Sequence, residues 1–581
     1  MRTGTKRLTG LVALTAAGLL GVAACGTSKT GGNAPAQSSA GYSTCTQQPD
    51  TCNSGPRKDG GDIVVALGKY PSTWNNWSSD GNIVETVEQE NLISPGAYIF
   101  QPSGKIAWNQ DMLASEPQIT SQSPQTVVYK LSPNAKWNNG TPISADDFIY
   151  DWKTNNGHDK NIPIVGSTGY DSIQSVVGSD NGATVTVTYS KNYPDWKGLF
   201  SQLYPAWYAK QKVGGLDTDA QLEAAFKVWD AAPTAWSGGP YVLQNYQSQQ
   251  SATFVPNTGW YGKDKPTLKT ITFKYITDQS QDIPALQNQE IQALNIQPDQ
   301  DTVQQLSQIP GVNYEVSAGY SWEHWEVNST SKFLKDIALR EAIFDATNIQ
   351  DMIDKTVKPF FPSAKILYSH NMFPGTVGFK DVTKEAAPDE GTGNVDKAKQ
   401  ILTAAGYTGV GTKLVAPNGG GPVSINFVHT DTQVRDQSAQ LVQQYLGQLG
   451  ITVNNKVTAD LGTSLANKDF DIIMFGFSGS PLLTADHDLW YKNAGNNFTN
   501  WSDPQSDKLL DQMSQELDPQ KQADLLNQQD TILTKAFVDL PLYQKPNLNV
   551  ATNQYINIRD NNAGSYFTYN TQQWGLSASA Q

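Results

Sequence analysis

Three cysteines and five histidines in 581 residues, with no basic tract, narrow the possibilities before any motif is read. So few cysteines exclude a disulfide-built scaffold and a multi-thiolate zinc module. The histidines, at 158, 324, 370, 429 and 487, are scattered and form no His-Glu-x-x-His pair. No resident metal or cofactor is therefore expected. Charged residues make up only 17% of the chain, the net charge is -14, and lysine and arginine never cluster. That balance argues against nucleic acid as a partner. The phosphate-cradling pattern G-x-x-x-x-G-K-[ST] is missing. Gly476-Phe477-Ser478-Gly479-Ser480 departs from the nucleophile elbow G-x-S-x-G at its last position, so an enzyme is not expected. After residue 24 no run approaches the roughly 18 apolar residues that span a bilayer.

The N-terminus has what the rest lacks. Arg2, Lys6 and Arg7 precede an apolar, Ala- and Gly-rich stretch that ends in Val22-Ala23-Ala24-Cys25. This reads as a lipoprotein signal peptide over 1–24, with Cys25 acylated as the anchor on the outer face of the cytoplasmic membrane. Residues 26–44 are low in large apolar groups and form a flexible tether, and 25–56 ends in the pair Cys45 and Cys52. In an oxidising compartment this pair is expected to close a short disulfide loop, since a metal site would need further ligands nearby. The remaining length is enough for two or three domains. Tryptophan, at 15 residues, is abundant; Trp and Tyr serve both cores and ligand clefts.

Residues Val127 to Trp152, VVYKLSPNAKWNNGTPISADDFIYDW, read as a strand, an Asn-Asn-Gly turn, and a helix opened by Ser144 with Asp147 three residues on. Their order resembles the signature K-L-x-P-x-x-K-W-x-x-G-x-P-x-x-A-x-D of the extracytoplasmic solute-binding proteins of the oligopeptide/dipeptide/nickel class. The chain matches at Lys130, Leu131, Pro133, Lys136, Trp137, Gly140, Pro142, Ala145 and Asp147. Further matches follow: Gly238-Gly239-Pro240-Tyr241, Asn257 to Gly262, the helix around Arg340, KAKQILTAAGY from Lys397, FDIIMFGF from Phe470, and Leu540-Pro541-Leu542-Tyr543.

Alternating strands and helices give α/β lobes on their own terms. The resemblance implies a periplasmic-binding-protein type II-like fold, two lobes joined by a hinge plus an extra domain. Domain I would be 57–98, 200–322 and 537–581, domain II 99–199, and domain III 323–536. Crossovers near Ser321 and Phe537 would act as hinges. It further implies the ligand-capturing subunit of an ABC importer, a monomer that hands an oligopeptide to permease subunits.

In that family the strand at Gly476, Phe477, Ser478, Gly479 and Ser480 pairs with the peptide backbone. An Asp that binds the ligand's ammonium group is expected where this chain has Ser480. Either Asp486 or Asp488 replaces it, or the ligand has no free amine there. Trp322, His324, Trp325 and Glu326 are expected to line the opposite wall by resemblance to an aromatic-acidic stretch in relatives. Alternatively Trp325 and Val327 face the core while Glu326 faces solvent. Trp74 and Trp77 are weaker candidates, and Arg340 belongs to a structural helix. Two other readings remain: an oligosaccharide or glycoconjugate as ligand, or a non-transporting regulatory envelope lipoprotein.

Overall fold

The structure, a computed structural model, describes residues 37–579. The expected signal peptide, Cys25 and the first part of the tether lie outside the described residues. Cys45 and Cys52 are joined by a disulfide.

Ten strands form one continuous sheet: β1 (Asp62–Leu67), β2 (Tyr241–Gln247), β3 (Ser251–Pro256), β4 (Thr270–Tyr275), β5 (Ala293–Ile296), β6 (Val312–Val327), β7 (Ser424–Thr430), β8 (Thr452–Thr458), β9 (Ile472–Ser478) and β10 (Asp539–Thr552). Their spatial order is β8-β7-β9-β6-β10-β5-β1-β4-β3-β2. Parallel pairing holds β4, β1 and β5 together on one side, and β8, β7 and β9 on the other. These strands are rich in β-branched and aromatic residues, as parallel strands covered on both faces require. Two long antiparallel strands, β6 and β10, run between these two halves and pair along their length. The architecture is thus mixed α/β, built on a large sheet whose two halves are linked by a pair of crossover strands.

A second sheet, of Leu113–Gln122, Gln125–Leu131, Ile173–Ser179 and Thr184–Tyr189, is antiparallel. Its alternating TVTVTY strand buries every second residue. Helix α1 (Ala145–Asn155) opens with the capping box the sequence predicts: Ser144 accepts at the helix start, and its N–H donates to Asp147 Oδ2 at 2.9 Å. The same carboxylate accepts from the Trp137 indole at 3.3 Å and from Ala206 N–H at 2.9 Å. Asp147 thereby ties the turn, the helix and a distant segment together. Burial raises its pKa to about 7, against the pull of its hydrogen bonds. The most specific motif in the sequence therefore does structural work.

Helix α2 (Ile337–Ala346) carries Arg340, α3 (Gln433–Gly447) follows β7, and α4 (Pro519–Ala536) precedes β10. Arg340 donates from Nε and Nη2 to the carbonyl of Ala536 at 3.0 and 2.8 Å, and from Nη1 to Leu334 at 2.7 Å. The guanidinium closes the C-terminus of α4, where carbonyls lack helical partners. Gly239 is glycine for a local reason: a Cβ there would lie 2.3 Å from the carbonyl oxygen of Leu92.

Candidate ligand cleft

Crevices in open α/β sheets form beyond the carboxyl ends of parallel strands. Here β7 ends at Thr430 and leads through Asp431 and Thr432, the N-cap, into α3. On the other side, β4 leads to Gln279 and β5 to Gln297 and Asp299. Between them lies a cavity of about 340 Å³, lined by these residues, by Val357 and Phe360, and by Glu323, Tyr543 and Lys545 of the crossover strands.

The floor is charged. Arg435 donates from Nε to Glu323 Oε1 at 2.6 Å and from Nη2 to Oε2 at 3.0 Å, a bidentate pair. Its Nη1 also donates to Thr430 Oγ1. Burial opposes the Arg435 charge, but Glu323 more than offsets it, so the guanidinium pKa is raised. Beside this pair the Lys545 ammonium makes no hydrogen bond or ion pair among the described residues. Burial lowers its pKa, Glu323 counters in part, and Arg435 lowers it further. Gly476 pairs with Glu323 across the sheet, and a Cβ there would sit 2.5 Å from Lys545 Cδ. The missing side chain is what makes room for the lysine. At the mouth, Asp431 is exposed, while the Asp299 carboxylate is occupied by the N–H and hydroxyl of Thr302.

The residues singled out in the sequence separate by strand alternation. Trp322, His324 and Glu326 share one face of β6, and Glu323, Trp325 and Val327 share the other. The His324 ring stacks on Phe477 at 4.8 Å and 14° and packs at a tilt against Trp322 at 4.3 Å. His324, Glu326 and Asp539 are completely enclosed. Burial pushes the His324 pKa far down and those of Glu326 and Asp539 far up. Trp325 lies edge-on to Phe427, ring centroids 5.3 Å apart, within the apolar core rather than on a cleft.

Ser478 ends β9 opposite Ser321. Gly479 N–H donates to the Tyr320 carbonyl, and Ser480 Oγ accepts from Leu482 N–H at 3.1 Å. Asp486 is half-buried, with Oδ2 enclosed and without a hydrogen bond; burial, then Asp195 and Asp530, raise its pKa. Asp488 is exposed. Trp74 and Trp77 are core residues, packed on Tyr246 at 5.3 Å and Tyr204 at 4.5 Å.

Of the expected set, then, Gly476 abuts the cleft floor, whereas Trp322, His324 and Glu326 point to the sheet's other face. The sequence reading missed Glu323, Arg435, Tyr543 and Lys545. Arg435 carried a usable signal, since it sits in the first turn of a helix that follows a strand's carboxyl end. The others did not, because which face of β6 meets the cleft is a property of the packed sheet.

Known proteins share this fold. Residues 110–500 match the pattern of "Bacterial extracellular solute-binding proteins, family 5 Middle". The oligopeptide-binding protein OppA of Mycobacterium tuberculosis (strain ATCC 25618 / H37Rv) is 28% identical over 501 residues, covering 84% of this chain and 80% of OppA. The solved structure of the periplasmic EDTA-binding protein EppA superposes with a TM-score of 0.86 at 30% identity, covering 91% of this chain and 99% of EppA. A shorter likeness, 29% over 217 residues, links 36% of this chain to 31% of the probable monoacyl phosphatidylinositol tetramannoside-binding protein LpqW of Mycobacterium tuberculosis (strain ATCC 25618 / H37Rv). By the match over residues 110–500 and the shared fold, the chain belongs to family 5 of the bacterial extracellular solute-binding proteins.

Proposed function

We propose that this chain captures a short peptide, or one end of a longer one, in the cleft above Lys545 and passes it unchanged to the permease of an ABC importer. The observation that carries this reading is the unpaired ammonium of Lys545 beside the Arg435–Glu323 pair. An ammonium partly withdrawn from water without a partner is costly. A ligand carboxylate supplies the missing partner, and Asp431 at the mouth offers a counterpart to an ammonium group. A cavity of about 340 Å³ lies at the small end of ligand sites, which favours a compact ligand.

In this reading the domains divide at 57–98, 200–322 and 537–581, at 99–199, and at 323–536, and closure bends β6 and β10 near 321 and 537. The strand from Gly476 to Ser480 pairs with the peptide backbone, Asp486 is held in reserve near it, and Cys25 carries the lipid anchor of a monomer. Among the described residues no helix is long and apolar enough to cross a membrane. A second reading is favoured by the EppA likeness: a polycarboxylate chelate would meet the same lysine and arginine. The short likeness to LpqW leaves a glycoconjugate ligand or a regulatory role as a third.

Calorimetric titration with di- to pentapeptides, their C-terminal amides, and EDTA chelates tests these readings. Saturable binding of free-acid peptides, weakened by amidation, is expected. Binding of chelates alone would move the assignment to the second reading, and no heat from either class would overturn the first two.

A further inference from the structure

His324, Glu326 and Asp539 meet on the face of the sheet turned away from the cleft. Glu326 of β6 stands directly opposite Asp539 of β10 in the strand register, and His324 lies two residues along the same face. His324 Nε2 is 3.6 Å from Glu326 Oε1 and 3.7 Å from Asp539 Oδ2. All three ligand atoms fall within 4.8 Å of one another. These separations are too long for hydrogen bonds. They suit donors around one cation, because bonds of about 2.0–2.2 Å in a tetrahedral set place neighbouring ligands roughly 3.4 Å apart.

The side chains are enclosed and unpartnered. His324 Nε2, both carboxylate oxygens of Glu326 and both of Asp539 make no hydrogen bond among the described residues. Two buried carboxylates facing each other across a strand pair repel; His370 Nε2 stands 3.8 Å from Asp539 Oδ1, and no lysine or arginine pairs with either carboxylate among the described residues. Lys468 acts on Glu326 only from a distance, its ammonium being bonded to the Asn497 carbonyl.

The geometry is also braced. The His324 ring packs against Trp322 at 4.3 Å and Phe477 at 4.8 Å, with Nε2 facing both carboxylates. His370 Nε2 donates to the Asp539 carbonyl at 3.0 Å, and its Nδ1 lies 2.6 Å from Asp530 Oδ1. Such outer contacts orient ligands in metal sites.

We propose that His324, Glu326 and Asp539 bind one divalent first-row transition-metal ion that pins the two crossover strands together. One imidazole and two carboxylates suit zinc or its neighbours better than calcium or magnesium, which prefer all-oxygen sites. The ion is structural and independent of the ligand in the cleft. Because the three side chains are fully enclosed, it exchanges slowly and survives desalting.

Metal analysis of the full chain tests this, both as purified and after warming with excess zinc chloride followed by desalting. About one equivalent per chain is expected in the parent and in a His487→Ala control, falling below a tenth in Glu326→Gln and Asp539→Asn. Zinc X-ray absorption of the parent should show one imidazole among oxygen donors, a readout that holds even if both variants fail to fold. Less than a tenth of an equivalent in the parent, unchanged loading in both variants, or a shell with sulfur or several imidazoles would overturn the proposal.

Discussion

Thr484 donates both its backbone N–H and its hydroxyl to a single oxygen of Asp195, each at 2.6 Å. These residues are far apart in sequence: Thr484 follows β9, and Asp195 follows the four-stranded sheet. Leu482 fills the space over Gly198, where a Cβ would lie 2.5 Å from its Cδ1. Burial raises the Asp195 pKa and the Thr484 bonds oppose it. In the proposed domain scheme this pair latches domain III onto domain II when the cleft is shut.

Hydrogen bonds to a charged group contribute roughly 1.5–3 kcal/mol each. Thr484→Val removes the hydroxyl's bond and leaves the backbone N–H in place; it should shift the free protein toward an open form and weaken ligand binding by about tenfold, since only the closed population binds tightly. Small-angle scattering should report a larger radius of gyration. An unchanged radius together with unchanged affinity would show that Thr484 and Asp195 do not gate closure.

Lys545→Met keeps the apolar stem and removes the charge. If Lys545 receives a ligand carboxylate, free-acid peptides should lose about 10–100-fold in affinity, a loss of roughly 1.4–2.8 kcal/mol. Peptide amides, which never made the pair, should bind parent and variant alike. Thermal stability should hold or rise, because a half-buried ammonium without a side-chain partner is removed. Equal losses for acids and amides would mean that the lysine shapes the cleft rather than recognising charge.

The legible parts of this chain were those written in local chemistry. Ser144 and Asp147 announce a helix start through spacing alone, and the structure makes the very bonds that spacing implies. Arg340 was assigned to a structural helix and caps α4. The cleft was harder to read because β6 is buried on both faces from Trp322 to Val327, so its sequence shows no polar-apolar alternation. Nothing local told Glu323 from His324. The contact of Arg435 with Glu323 spans 112 residues and exists only once β7, β9 and β6 are paired.

The Arg340 cap can be tested separately from binding. Arg340→Met keeps much of the stem's packing but strands the carbonyls of Ala536 and Leu334. Leaving such buried acceptors unsatisfied costs about 1–3 kcal/mol each. Denaturant unfolding should show a loss of about 2–4 kcal/mol, while ligand affinity measured below the melting transition stays within twofold of the parent. A stability change under 0.5 kcal/mol would mean that water replaces the guanidinium at the end of α4.

Glu90 makes stability depend on pH in an unusual direction. Its carboxyl is fully buried, and desolvation raises its pKa to about 8, with the Tyr204 hydrogen bond opposing. The Tyr204 hydroxyl has one proton, yet it lies 2.7 Å from Glu90 Oε1 and 3.1 Å from the Trp74 carbonyl, and accepts from Asn76 N–H at 2.9 Å. A protonated Glu90 satisfies all of them: it donates to the hydroxyl, which in turn donates to Trp74. Because the folded pKa lies above the unfolded value of about 4.3, this contribution is complete below pH 4.3 and is lost as pH rises through 8. The slope approaches about 1.4 kcal/mol per pH unit in that window. Glu90→Gln presents an amide N–H to the same hydroxyl at every pH. Between pH 5 and pH 8 the parent should therefore lose more stability than the variant, by on the order of 2–4 kcal/mol. Parallel stability curves for the two proteins would mean that Glu90 is ionised throughout and that its charge is solvated by a route the packing around Tyr204 does not reveal.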